Sequence, residues 1–313
     1  MTKIDLITGF LGSGKTTFLR LYANYLISRG ENIAILENDY GAVNVDMMLL
    51  GDLQGDKCEL EMVSASCHMD CHKRRFKTKL ISMGMCGYDR VIVEPSGIFD
   101  VDEFFDNLTE EPLSHMYEID NVIAIVNASL ENNLSKESDF YLASQIANSG
   151  TILLSRAQLA SDTQISETVS HLESAAESFG LTKDIRSILN YGNWFDFTDK
   201  DFEAIKNSGY QISSYIKTIA GADSAYSSVY FLDYTATAVS IEASINTLFN
   251  TPSCGDVFRL KGFFEENGKW YEVNATKNET VIKELTLGQF VIIVIGENLN
   301  RKEIEAVMNA SAV

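Results

Sequence analysis

The stretch from Gly9 to Arg20, GFLGSGKTTFLR, decides the fold class of this chain. Residues 9–16 follow the pattern G-x-x-x-x-G-K-T, between the apolar segment KIDLITG and an amphipathic segment that ends at Gly30. The backbone N–H groups of such a glycine-rich loop surround phosphate oxygens, and the positive end of the following helix adds to the attraction. The stretch therefore predicts a strand, a phosphate-binding loop and a helix, in that order.

Two side chains of this loop have expected roles in binding a nucleotide. Lys15 is expected to reach the β- and γ-phosphates, and Thr16 to offer its hydroxyl to Mg²⁺. The pattern therefore predicts a nucleoside triphosphate with Mg²⁺ as the ligand.

Further strand candidates, rich in β-branched residues, alternate with helical stretches in the first two thirds of the chain. They are NIAILEND, RVIVEPSG, NVIAIVNAS and GTILLSRA. Near-continuous apolar runs of this kind are typical of strands that are covered on both faces. The predicted fold is α/β, with a mostly parallel sheet flanked by helices.

The sequence pattern changes after about residue 220. Asn267-Gly268 between alternating apolar residues predicts a hairpin, and a helix-like segment, the strand QFVIIVIGE and the helix RKEIEAVMNA accompany it. The small residues of IAGADSAYSS have the composition of a linker. We expect a nucleotide-binding domain over 1–220 and a small α+β domain over 225–313.

Composition excludes several classes of partner. The formal net charge of −19 repels a nucleic-acid backbone, and no run of apolar residues reaches the length of a membrane helix. Five cysteines and no apolar leader after Met1 indicate free thiols or metal ligands in a reducing compartment. We therefore expect a cytoplasmic protein that contacts neither nucleic acid nor membrane.

Acidic residues follow two of the predicted strands. Glu94 ends the strand of RVIVEPSG, and Glu37 and Asp39 lie in ENDYGAVNVD. Because open α/β sheets bind ligands at the carboxyl ends of their strands, these residues are candidates to complete the Mg²⁺ shell or to orient the attacking water. Glu94 has the stronger context, because Pro95-Ser96-Gly97 forms a tight-turn signal behind it.

Taken in order, these segments resemble the SIMIBI-class P-loop GTPases of the CobW/HypB/UreG family, and in particular its CobW-like branch. VFRLKGFFEENGKWYEV and FVIIVIGENLNRKEIEAVM are similar to the CobW C-terminal domain, so that the resemblance covers nearly the whole chain. It implies slow GTP hydrolysis that is coupled to inserting or delivering a metal such as zinc, or cobalt for cobalamin. It also implies a client metalloprotein or corrinoid protein as the partner. The positions that match the family's phosphate and Mg²⁺ residues are Gly12, Ser13, Gly14, Lys15, Thr16 and Thr17, and Glu94 matches its acidic residue.

The guanine-reading motif of the family is altered in this chain. Where the family has Asn-Lys-x-Asp, this chain has Ser155-Arg156-Ala157-Gln158. The carboxylate of the family's Asp accepts two hydrogen bonds from guanine, whereas Gln158 carries no charge. Ser155 and Gln158 are therefore expected at the base, with GTP or another purine nucleotide as the ligand.

The metal-binding motif is altered as well. The family's Cys-x-Cys-Cys aligns with Cys67, Met69 and Asp70, so only its first thiol is retained. Cys71, His68 and His72 lie nearby. In a helix, Cys67 would share a face with Cys71, and His68 with His72, because each pair is four residues apart. In a loop, all four side chains could instead close on one Zn²⁺ or Co²⁺ ion, with Cys58 as a further candidate.

Two interpretations of function remain open at this point. In the first, the chain is a nucleotide triphosphatase that carries a metal to its client. In the second, it is a nucleotide-dependent adaptor or reactivating chaperone that carries no metal, which the altered thiol motif favours.

Overall fold

The computed structural model describes residues 1–38, 45–63, 69–131, 134–213, 215, 226–232, 234–286 and 288–310. The chain divides into two compact units, Met1–Ile219 and Ala220–Val313. Within the described ranges, none of the helices is both long and apolar enough to cross a lipid bilayer.

The first unit alternates strands and helices along the chain. Its strands are β1 (Thr2–Gly9), β2 (Ile33–Asn38), β3 (Cys58–Val63), β4 (Arg90–Pro95), β5 (Tyr117–Asn127), β6 (Thr151–Ser155) and β7 (Leu189–Asn190). Its helices are α1 (Lys15–Ser28), α2 (Val45–Leu49), α3 (Met69–Gly84), α4 (Val101–Thr109), α5 (Leu113–Met116), α6 (Lys136–Ala147), α7 (Asp162–Ser178) and α8 (Asp199–Lys206). The strands form one parallel sheet in the order β3-β2-β4-β1-β5-β6-β7. The predicted parallel α/β fold is confirmed.

Helices cover both faces of this sheet, and the alternation of side chains along each strand assigns residues to a face. Odd-numbered residues of β2 and even-numbered residues of β4 pack against α1, in a cluster that contains Ile33, Ile35, Ile92, Phe18 and Leu19. The opposite residues pack against α3, in a cluster that contains Ala34, Leu36, Val91, Val93, Phe76 and Leu80. At the carboxyl ends of these strands, Glu37 and Glu94 therefore belong to the α1 face and Asn38 to the α3 face.

Helix α1 ends where the sequence predicts. Gly30 has a φ of +86°, and its N–H donates to the Ile27 carbonyl at 2.9 Å. The Glu31 N–H donates to the Leu26 carbonyl at 3.2 Å. Two hydrogen bonds of this kind close the last turn of a helix, and a glycine adopts the left-handed conformation they need without steric cost.

A buried ionic cluster lies at the amino-terminal edge of the sheet. Arg90 Nη1 donates to both carboxylate oxygens of Asp5 at 2.7 Å and lies 2.8 Å from Asp120, while its Nε lies 3.2 Å from Glu31. The side chains of Arg90 and Asp5 are 1% and 0% exposed. The cluster links β1, β4 and β5 through charged side chains, and its central pair, Arg90 with Asp5, is removed from water.

The second unit is built on an antiparallel sheet. Its strands are β8 (Tyr226–Leu232), β9 (Asp256–Glu266), β10 (Lys269–Thr276), β11 (Glu279–Leu285) and β12 (Val291–Glu297), in the order β11-β10-β9-β12-β8, with helices α9 (Ala238–Asn250) and α10 (Arg301–Asn309). Asn267 and Gly268 connect β9 to β10 with φ values of +54° and +76°. Two consecutive positive φ angles match the right-handed twist of a two-residue hairpin, as the sequence predicts.

Candidate nucleotide and metal site

The loop between β1 and α1 has a backbone that only glycine allows at its two ends. A Cβ on Gly9 would lie 2.2 Å from the Ile125 carbonyl oxygen, and Gly14 enters α1 with a φ of +99°. With side chains excluded from these positions, the loop closes tightly over the end of β1. Within it, the Ser13 N–H donates to the Phe10 carbonyl at 3.2 Å, and a tight glycine-rich turn of this kind before a helix is typical of a phosphate-binding loop.

Polar groups of the loop are buried beside this space. Lys15 is a buried lysine whose Nζ donates to the Gly9 carbonyl at 3.0 Å. The buried Ser13 hydroxyl has no hydrogen-bond partner among the described residues. An ammonium group and a hydroxyl donor on the inside of a loop fit the oxygens of a polyphosphate.

Thr16 and Glu94 meet across the site although 78 residues separate them. The Thr16 hydroxyl donates to Glu94 Oε1 at 2.8 Å. Glu37 lies beside Glu94 in the register of β2 and β4, and both carboxylates are buried on the α1 face. Hard oxygen ligands beside a phosphate-binding loop fit a hydrated Mg²⁺.

The loop after β4 contacts both the phosphate-binding loop and the end of β2. A Cβ on Gly97 would lie 2.6 Å from the backbone nitrogen of Leu11. The Ser96 N–H donates to the Asn38 carbonyl at 2.8 Å, and Gln145 Nε2 donates to the Gly97 carbonyl at 2.8 Å. The Glu94-Pro95-Ser96-Gly97 turn is therefore held against the nucleotide site by its backbone.

On the other side of the site, the loop after β6 is attached to the phosphate-binding loop. Arg156 has a φ of +57°, and its Nη1 donates to the Gly12 carbonyl at 3.2 Å. A Cβ on Gly14 would lie 3.5 Å from the Ser155 Cβ and 3.7 Å from the ring of Trp194. Ser155 and Trp194 are buried there, whereas Gln158 is exposed to solvent.

The predicted thiol and imidazole site lies only partly within the described residues. Cys67, His68 and the predicted acidic residue Asp39 lie outside the described ranges. Cys71 is exposed in the first turns of α3, while His72 is buried. Among the residues that the structure describes, no group of three His, Cys, Asp or Glu side chains could hold a metal ion. The four-residue metal site therefore stays a prediction.

His72 makes a contact that the sequence did not indicate. Its Nε2 lies 2.7 Å from Asn38 Oδ1, on the α3 face of β2. The start of the helix that carries Cys71 is thus hydrogen-bonded to the residue at which β2 ends. Only the three-dimensional neighbourhood of β2 and α3 reveals this contact, because the two residues are 34 positions apart.

Cys58 does not belong with the other thiols. It begins β3, pairs with Ile33 at the amino-terminal edge of the sheet, and is buried. Burial raises the pKa of the Cys58 thiol to about 11. Its position at the opposite end of the strands from Asn38 and His72 argues against the role suggested for it from the sequence.

The comparison with protein families settles the classification. The model of the CobW/HypB/UreG nucleotide-binding domain matches residues 3–179. The chain belongs to the CobW/HypB/UreG family. The matched residues contain the phosphate-binding loop, Glu94 and the loop after β6 described above.

Curated relatives of this CobW/HypB/UreG chain include the zinc chaperone YjiA of Escherichia coli, which is 29% identical over 57% of this chain and 57% of its own length. The zinc-regulated GTPase metalloprotein activator 1 of Schizosaccharomyces pombe is 27% identical over 61% of this chain and 50% of its own. The chain spans about half the length of the curated relatives that it matches. Among solved structures, the Zn(II)-bound YjiA GTPase of E. coli matches with a TM-score of 0.40 and 19% identity, over 99% of this chain and 98% of that one.

Proposed function

We propose that this protein is a P-loop nucleoside triphosphatase that uses the nucleotide to control delivery of a metal ion to a client protein. The observation that supports the nucleotide part is the hydrogen bond between Thr16 and Glu94, next to the buried Lys15. Relatives described as a zinc chaperone and as a GTPase metalloprotein activator support the metal part.

In the proposed reaction, water attacks the γ-phosphorus, the bond to the bridging β-γ oxygen breaks, and a proton is released. Mg²⁺, when bound, would neutralise charge on the phosphate oxygens. Lys15 and the loop amides stabilise the negative charge that develops on the γ-phosphate and the leaving oxygen. Thr16 would hold the Mg²⁺, and Glu94, Glu37 or Asp39 would complete its shell or orient the attacking water.

A path of hydrogen bonds connects the site of this reaction to the start of α3, which carries Cys71. Glu94 contacts Thr16, and two residues later the Ser96 N–H binds the Asn38 carbonyl. Asn38 in turn binds His72 at the start of α3. A shift of the turn after Glu94 on loss of the γ-phosphate would therefore move the end of β2 and the helix that carries Cys71.

The nucleotide part is tested by measuring phosphate release from GTP in the presence of Mg²⁺. We expect Lys15→Ala and Thr16→Ala to abolish most of the hydrolysis, because each removes a group that contacts charged phosphate or metal. Lys57→Ala is the matched control, since Lys57 Nζ also donates to a glycine carbonyl, that of Gly30, but is exposed. Equal rates for wild type, Lys15→Ala and Lys57→Ala would disprove this assignment.

The metal part is tested by titrating Zn²⁺ and Co²⁺ into the protein with and without a nonhydrolysable triphosphate. By linkage, a nucleotide that controls metal release must change the metal affinity, and the metal must change the nucleotide affinity by the same factor. The Cys67→Ala, Cys71→Ala double variant should lose the metal and keep the nucleotide. Identical metal affinities in the two nucleotide states would refute the coupling.

One observation favours the second candidate function, an adaptor that carries no metal. The buried Nε2 of His72 is engaged with Asn38, so His72 would have to break this hydrogen bond if that nitrogen became a ligand. The adaptor predicts protein free of zinc and cobalt when it is purified without chelator. It also predicts that the double cysteine variant still binds and matures its client.

A further inference from the structure

We propose that the Gln158 carboxamide reads the base of the bound nucleotide and that the site therefore accepts adenine and guanine triphosphates with similar affinity. This inference rests on the proposed nucleotide function and names the substrate class of the same site. It concerns the loop after β6, which carries Ser155, Arg156 and Gln158.

The position of this loop is set by contacts with the phosphate-binding loop. Arg156 Nη1 donates to the Gly12 carbonyl at 3.2 Å, and Ser155 lies in van der Waals range of a side chain built on Gly14. A nucleotide whose phosphates lie in front of α1 extends its base along the carboxyl edge of the sheet. Gln158 follows three residues after Ser155 on this edge, with an exposed side chain.

The chemistry of the side chain decides which bases fit. A carboxylate only accepts hydrogen bonds, so it matches the two neighbouring donors of guanine, N1–H and the exocyclic amine. A carboxamide offers one acceptor and one donor. It can pair with N6–H and N1 of adenine, or with N1–H and O6 of guanine, and so it makes two hydrogen bonds to either base.

The loop that carries Gln158 and the segment after β7 contain no carboxylate that could take over the selection of guanine. Residues 155–160 and 189–195 contain neither Asp nor Glu. The acidic residues that follow these two ranges are Asp162, in the first turn of α7, and Asp196, which accepts a hydrogen bond from Asn193 Nδ2 at 2.7 Å. The exposed side chains in these segments are instead largely apolar, namely those of Leu159, Tyr191 and Phe195. Apolar and aromatic side chains stack on any purine, because every base presents a π face.

The experiment measures the affinities of GTP and ATP by calorimetry, with Mg²⁺, for four forms of the full chain. These are wild type, Gln158→Asp, Lys15→Ala and Gln211→Asp. Gln211→Asp is the control for added charge, because Gln211 is exposed and the structure records a hydrogen bond only for its backbone, to the Asn148 carbonyl. Lys15→Ala tests the phosphate site independently of the base.

For wild type and for Gln211→Asp, we expect the affinities for GTP and ATP to agree within about tenfold. Gln158→Asp should shift the ratio toward GTP by about tenfold or more, because the new carboxylate gains charge-assisted hydrogen bonds to guanine alone. Lys15→Ala should lower the affinities for GTP and ATP by the same factor.

Two outcomes would overturn the inference and leave the proposed function intact. One is a wild-type preference for GTP above about a hundredfold, and the other is a ratio that Gln158→Asp leaves unchanged, in both cases with binding that depends on Lys15. If wild type bound neither nucleotide, or if Lys15→Ala had no effect, the proposed nucleotide function itself would fail.

Discussion

Replacing Arg90 by methionine tests the buried ionic cluster at the amino-terminal edge of the sheet. The methionine retains much of the apolar stem of the arginine but removes its charge. The variant loses the hydrogen bonds from Nη1 to Asp5 at 2.7 Å, the contact with Asp120 at 2.8 Å and the contact with Glu31 at 3.2 Å. Asp5 is left as a buried carboxylate without its counterion.

The expected loss follows from the burial of both partners. Removing one partner of a buried ion pair costs about 3–5 kcal/mol, because the remaining charge is uncompensated. Asp5 still accepts hydrogen bonds from Tyr22 at 2.9 Å and from the Asn121 side chain at 2.9 Å, which places our expectation near the lower value, at about 3 kcal/mol. For a unit of this size, such a loss lowers the melting temperature by about 6–12 °C.

The loss of stability in Arg90→Met should depend on pH in a definite direction. Burial raises the pKa of Asp5, and the charge of Arg90 opposes that effect. Without Arg90 the pKa rises further, so the folded variant favours the protonated carboxyl. The stability that protonation provides is complete in acid and is lost as the pH rises through the raised pKa. Arg90→Met should therefore be closer to wild type at pH 4 than at pH 7.

Urea unfolding followed by circular dichroism at pH 4 and pH 7 measures both effects. Arg186→Met is the matched control, since Arg186 makes a bidentate pair with Glu173 at 2.7 and 2.8 Å but is exposed, and it should leave stability unchanged. The second-site change Asp5→Asn should restore part of the loss in Arg90→Met. The reasoning is refuted if Arg90→Met is as stable as the control variant at pH 7.

Three further predictions use other parts of the first unit. Gly97→Ala places a Cβ 2.6 Å from the Leu11 nitrogen, so it should lower the free energy of unfolding by about 1–3 kcal/mol and weaken nucleotide binding. In the control Gly51→Ala the new Cβ meets nothing within 4 Å, and neither property should change. Thermal melts and nucleotide titrations of both variants measure the two effects. Burial lowers the pKa of Lys183 from 10.5 to about 8. Between pH 8 and pH 10.5 the unfolded chain therefore binds more protons than the folded chain, and the free energy of unfolding should rise as the pH increases. Urea titrations at several pH values should show that Lys183→Met has lost this rise. His72→Leu removes the imidazole that contacts the buried Asn38 side chain at the end of β2, and it should lower the free energy of unfolding by about 1–3 kcal/mol. An unchanged midpoint of urea unfolding would contradict the contact.

Local sequence predicted well those elements whose conformation depends on neighbours in the chain. The glycines of residues 9–14, the end of α1 at Gly30 and the Asn267-Gly268 hairpin each need backbone angles that few other residues adopt. The apolar runs of β1, β2, β4, β5 and β6 are long enough to identify buried parallel strands.

The strands that sequence reasoning missed are those with charged or short patterns. β3 and β11 lie at the edges of their sheets and carry charged residues, among them Glu59 and Glu61 in β3 and Lys283 and Glu284 in β11. β7 has only two residues. The sequences of such segments resemble polar loops, because an edge strand needs apolar residues on one face at most. Pairing with the neighbouring strand is what keeps such a segment extended.

The sequence by itself determined that this chain has a phosphate-binding loop on an α/β sheet and belongs to a recognisable family, because these features depend on residues that are close together in the chain. Only the tertiary structure decided that Thr16 meets Glu94, that Arg90 is bound by Asp5, and that His72 is buried against Asn38 while its neighbour Cys71 is exposed. These contacts join residues between 34 and 85 positions apart. They depend on the order of the strands and on the face that each side chain occupies, and a periodic pattern within one segment contains neither.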